Sequence, residues 1–145
     1  MESVQNSPLS KGHITPSRLL WAAPLTALAA ALANALVYLI AGVVGAIPSD
    51  FVIPGPGTPL TLGMVVGSTV VPALLAGVVF ALLGRFTRRP VRNFVVLAAV
   101  LLVLSFVTPL TIPGAPLSMV LALELMHVVA AVVIVGGLTT LARRR

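Results

Sequence analysis

The sequence predicts an all-α fold, a bundle of four membrane-spanning helices. Three observations lead there. The 145 residues are 59% hydrophobic and only 8% charged, with a mean hydropathy of +1.14, whereas a soluble domain carries about 25% charged residues. The apolar residues fall in four blocks near the length of about 20 residues that crosses a bilayer. The nine basic residues all fall on one side of a four-span threading.

The blocks, in order, are 19–47, 60–84, 94–110 and 117–142, which together make one membrane domain over 19–145, behind a leader over 1–18. The first two contain no charged residue, the third is the shortest, and the fourth is interrupted only by Glu124 and His127. The first block is too long, and too poor in a small-residue cleavage site, for a signal peptide. Pro24 falls early in span one, where a missing N–H costs little. Pro72 lies inside span two and is expected to kink it or release a carbonyl. Ala27, Ala31 and Ala35 in span one and the pair Gly63 and Gly67 in span two follow the four-residue spacing of small residues that lets helices approach closely. Trp21 and Tyr38 fall near the two ends of span one, where amphipathic rings favour the interfaces.

Lys11 and Arg18 precede span one, Arg85, Arg88, Arg89 and Arg92 separate spans two and three, and Arg143, Arg144 and Arg145 follow span four. The positive-inside rule then places both termini in the cytoplasm of a bacterial inner (plasma) membrane. The same collar, Arg85, Arg88, Arg89, Arg92, Arg143, Arg144 and Arg145, suits anionic lipid headgroups. Nucleic-acid binding would need a basic surface on a folded soluble module, and the sequence offers none.

The chain repeats itself. From Phe51 and again from Leu110 it runs through an Ile-Pro-Gly turn, a Pro-Leu pair, an apolar helix and an arginine cluster. Two hairpins of the same orientation, a parallel repeat, follow from this pattern. The loops "IPSDFVIPGPGTP" and "TPLTIPGAP" are rich in proline and glycine, and read as tight interhelical turns in preference to a cap over the bundle.

Polar residues inside spans carry the chemistry. At about 1.5 Å per residue, Glu124 and His127 lie about 10 and 15 Å below the start of span four, and Ser68 and Thr69 about 12–14 Å below the start of span two. Asn34 lies roughly 15–18 Å from the far end of span one. A carboxylate facing lipid costs about 2.5–3.5 kcal/mol on insertion scales, so Glu124 is expected to face the interior, neutral, paired or solvated. The candidate site is therefore Asn34, Ser68, Thr69, Glu124 and His127. Three readings stay open: interhelical hydrogen bonds that fix register, a site that binds or moves a small or lipophilic molecule, and an intramembrane enzyme with Glu124 and His127 as acid and base.

No cofactor is implied. A single Glu-x-x-His is half of a dinuclear bundle site. A haem would have His127 as its one in-span histidine, since His13 belongs to the leader. The absence of cysteine removes disulfides and thiolate-held metals, and no phosphate loop or nucleophile elbow occurs. An accessory role, as a homo-oligomer or beside a membrane partner subunit, stays open.

The stretches "LANALVYLIA", "FVIPGPGTPLTLG", "VPALLAGVVFALLGRFTRRP" and "LELMHVVAAVVIV" resemble a family of small actinobacterial four-span membrane proteins of unknown function. The resemblance covers nearly all the chain beyond the leader and implies the same topology, with Asn34, Met126 and His127 as shared positions. It implies no activity. Small multidrug exporters also have four spans and one essential membrane glutamate, but theirs is in the first span, where this chain has Asn34, and here the acid is in the fourth.

Overall fold

The computed structural model describes residues 16–142. Lys11, His13, Arg143, Arg144, Arg145 and most of the expected leader lie outside the described residues. Helix α1 spans Pro16–Val43, α2 Leu62–Phe86, α3 Pro90–Ser105, the short α4 Val107–Leu110 and α5 Leu117–Leu141. Four helices, with α3 and α4 taken together, are long and apolar enough to cross a membrane.

The helix limits have local causes. Span one was expected to reach residue 47 but ends at Val43. Gly45 takes φ +72°, and the Ala46 and Gly45 amides donate to the carbonyls of Ala41 (2.8 Å) and Gly42 (3.1 Å). This is a Schellman closure, which requires the left-handed residue that glycine supplies. Thr61 caps α2, its Oγ1 accepting from the Met64 amide at 3.3 Å. Span three begins at Pro90, earlier than residue 94, because proline is preorganised for the first helical turn. It breaks at Phe106, where Pro109 lacks the N–H that an unbroken helix would offer to the Ser105 carbonyl.

Helix α1 packs against α2 and α5, while α3 packs against α2 and α5 from the opposite side and does not touch α1. Two clusters form the core. One, nearer the arginine-bearing end, gathers residues such as Ala27, Ala30, Ala73, Phe80, Phe94 and Leu138. The other, nearer the loop end, gathers Ala41, Ile47, Val65, Met119, Ala122 and Met126. In α1, a third of the span is buried (33%), but in α3 only 11%, with Phe94 its one buried residue. The Phe94 ring meets Phe80 at 4.7 Å between centroids, tilted by 43°, a favourable aromatic geometry.

Three expectations change. The Gly63 and Gly67 spacing does not mark a helix seam: a Cβ at Gly67 would meet nothing within 4 Å, and one at Gly63 only its own cap, Thr61. The close approaches are at Gly77, where a Cβ would fall 2.7 Å from the Ala23 Cβ, and at Gly137, where it would fall 2.6 Å from the Thr26 Oγ1. The first loop is more than a tight turn. Val52–Ile53 (β1) pairs antiparallel with Thr58–Pro59 (β2), a two-residue exception to the all-α fold. Ile47 is buried, and Phe51 and Ile53 pack on the loop-end core, so this loop caps the bundle. Finally, the repeat holds in the turns, where Gly55 and Gly114 both have positive φ (101° and 73°), but not in the packing, since the first span is buried more deeply than the third.

Candidate functional site

The α2–α3–α5 side encloses a cavity in two joined compartments. The first, about 340 Å³, is apolar and lies along α3, lined by residues such as Leu75, Val79, Leu97, Ala98, Leu101 and Ala131. The second, about 300 Å³, lies nearer the loop end and carries the polar groups Asn34, Ser68, Thr69, Ser105 and His127. Pro72, Ser105, His127 and Ile134 line both and mark where they meet.

Each polar side chain is placed by its helix. Asn34 is 4% exposed, and its Nδ2 donates to Thr69 Oγ1 at 3.0 Å, tying α1 to α2. Thr69 Oγ1 in turn donates to the Val65 carbonyl at 2.7 Å. Ser68 Oγ donates to the same carbonyl at 3.1 Å, and Ser105 Oγ to the Leu102 carbonyl at 2.7 Å. These are the local bonds by which hydroxyls satisfy themselves inside a helix. His127 Nδ1 lies 2.7 Å from the Leu123 carbonyl. A carbonyl only accepts, so Nδ1 carries the proton, and in the neutral ring Nε2 is left as an acceptor.

Of the five residues singled out from the sequence, the structure brings Asn34, Ser68, Thr69 and His127 to one compartment. Glu124 is not in its lining. It lies one turn of α5 away from His127 towards the loops, and both carboxylate oxygens are buried without a hydrogen-bond partner. Glu124 and His127 do not bond to each other, because the imidazole turns back onto its own helix. Ser105 went unrecognised in the sequence. Its signal is a four-residue spacing to proline: Ser68 precedes Pro72, and Ser105 precedes Pro109. Each proline withholds the N–H that the serine carbonyl would otherwise receive. Both serines face the same compartment.

Among the described residues, no group of three or more His, Cys, Asp or Glu side chains converges as a metal site would need. The described arginines Arg85, Arg88, Arg89 and Arg92 are exposed at the end opposite the capped loops. The Arg85 guanidinium stands 5.8 Å from the centre of the Phe86 ring, within cation–π range.

The geometry is that of a small helical bundle with a lateral cavity between α2, α3 and α5, apolar along its length and polar towards the loop end. The chain belongs to the family of unknown function DUF6069, whose model matches residues 15–144. No curated protein and no solved structure matches it.

Proposed function

We propose that the chain is a multi-pass protein of a bacterial plasma membrane, of the actinobacterial kind that its sequence resembles, with both termini cytoplasmic. Its role is to bind a small lipophilic molecule in the α2–α3–α5 cavity. The observation that carries this reading is the continuity of the two compartments, which share Pro72, Ser105, His127 and Ile134. A polar head would sit at Asn34 and His127, and an apolar body would lie against α3. Sites of a few hundred Å³, mostly apolar with a few placed polar groups, are the usual form of small-molecule pockets. Ionisable or polar groups facing such a cavity inside a membrane span are commonly functional. The arginine clusters hold the orientation and meet anionic headgroups.

Ala98 lines the apolar compartment from α3, so Ala98→Trp fills it with little cost to the α1 packing. Lipophilic molecules retained through purification are extracted and compared between wild type and this variant. Wild type is expected to retain a molecule that Ala98→Trp has lost. Equal recovery from two equally stable proteins removes the binding reading and leaves the helices as a scaffold for a partner. The threading has its own test, because the chain contains no cysteine. In intact cells, Ser49→Cys is expected to react with a membrane-impermeant maleimide while Arg89→Cys stays protected, and the reverse pattern overturns the orientation.

A further inference from the structure

The polar compartment is selective in a way that names the head of its occupant. Every hydroxyl proton there is committed to the protein. Ser68 and Thr69 donate to the Val65 carbonyl, and Ser105 to that of Leu102. One of the two Asn34 amide N–H groups is taken by Thr69 Oγ1, and the His127 Nδ1 proton by the Leu123 carbonyl. Because the Thr69 proton goes to Val65, its oxygen can only accept from Asn34, which fixes the amide with Nδ2 towards Thr69 and Oδ1 away from it. That Oδ1 is buried and has no partner, on a side chain 4% exposed that lines the compartment.

What remains for a ligand is mostly acceptors: Asn34 Oδ1, His127 Nε2, and the lone pairs of Ser68 and Ser105, against one donor, the second Asn34 Nδ2–H. The buried polar side-chain atoms without partners among the described residues are all oxygens, on Thr26, Asn34 and Glu124. No arginine or lysine lines either compartment. An anionic head would therefore bring more lone pairs to a site whose one uncommitted donor is the second Asn34 Nδ2–H and which has no cation, and burying an unmatched charge is costly. A head with its own N–H or O–H would instead donate to Asn34 Oδ1 or His127 Nε2, and an ammonium has protons for both.

We propose that the cavity selects amphiphiles whose head donates hydrogen bonds, a primary ammonium or a hydroxyl, and rejects carboxylate heads. The proposal rests on the binding reading above and assigns the occupant's chemical class. Residues 127 and 135 of α5 both line the apolar compartment and stand about 12 Å apart along the helix, which suits a medium-length alkyl chain lying along α5.

The test uses four probes with one tail and different heads: decylamine, decanol, decanoate and decyltrimethylammonium. The full-length protein carries His13→Gln, which leaves His127 as its sole histidine, and is held in lipid nanodiscs with its imidazole nitrogens labelled with nitrogen-15. Decylamine and decanol are expected to shift the His127 Nε2 resonance upfield, and decanoate and decyltrimethylammonium to leave it in place. The response to decylamine against that to decanol tells whether the natural head is an ammonium or a hydroxyl. Gly67→Ala, on α2 outside both compartments, keeps the effect, and Asn34→Leu weakens it about tenfold, the worth of one hydrogen bond. A shift with decanoate equal to that with decylamine overturns the head assignment and leaves the binding reading intact. A shift with decyltrimethylammonium but none with decanol overturns it too, because charge and not donation is then recognised. Silence from all four probes, with Ala98→Trp and wild type retaining the same molecules, overturns both.

Discussion

The α1 side and the α3 side of this bundle are both apolar, yet α1 packs closely on α2 and α5 while α3 stands over a cavity. Along α1, small residues recur on the faces turned to α2 and α5, so that Ala22, Ala27, Ala30 and Ala31 are buried and the backbones come close. Gly77 and Gly137 accept Ala23 and Thr26 at distances that leave no room for a Cβ. Along α3, leucine and valine dominate, and they point mostly outward, including Val96, Val100, Val103 and Leu104. Lipid is as apolar as leucine, so burying such side chains against a neighbouring helix brings little, whereas small residues bring backbones into van der Waals contact. Hydrophobicity alone therefore does not close a membrane bundle. Residue size at the seam does, since where α1 meets α2 and α5 it is small residues that bring the backbones together.

Three substitutions test that contrast, taken from the largest expected effect to the smallest. Gly77→Ala puts a methyl group against the fixed Ala23 Cβ. It is expected to destabilise the protein by about 1–3 kcal/mol, the usual cost of overpacking, as read from unfolding in mixed detergent. A neutral result would mean that the α1–α2 seam has slack. Phe94→Ala removes the one buried side chain of α3 and its partner ring contact. Because lipid replaces the lost apolar surroundings, only the aromatic pairing is forfeited, about 0.5–1.5 kcal/mol. Amide exchange should rise in α3 while α1 keeps its protection, and equal loosening of both would deny that the two sides are independent. Gly67→Ala meets open space and is expected to be neutral or to stabilise α2 by up to about 1 kcal/mol, the helix preference of alanine over glycine. A clear loss would restore the four-residue glycine spacing as a packing seam.

The spans were legible because a membrane helix announces itself by composition over about 20 residues; most helix limits moved by a few residues, with local causes at Gly45, Pro90 and Pro109. The shared depth of Asn34, Ser68, Thr69 and His127 followed from counting residues along helices, since rise per residue is fixed. Facing direction is not fixed in that way. Gly63 and Gly67 have the right spacing on the wrong face, while Gly77, spaced by four from Ala73 and Ala81, and Gly137, which has no such partner, sit at the contacts. Glu124 and His127, acid and base in one of the open readings, do not meet, for a related reason. Two residues three apart share a helix face, but a side-chain rotamer decided that the ring would meet Leu123 instead. Ser105 was passed over because a lone serine in an apolar block looks inert until its proline four residues on is counted with it.

Helix α3 behaves mechanically as a beam resting on two supports. Phe94 holds it against Phe80 at one end, and at the other the buried Pro109 of α4 rests beside α5, with a joint at Phe106 between helix and support. The stretch between, some fifteen residues or about 22 Å, has little beneath it except the cavity. A supported beam yields most at mid-span, near Leu101 and Leu102, which form the cavity's outer wall. If the cavity binds as proposed, occupants of different girth would be accommodated by the bowing of one helix, with the α1 seam left closed.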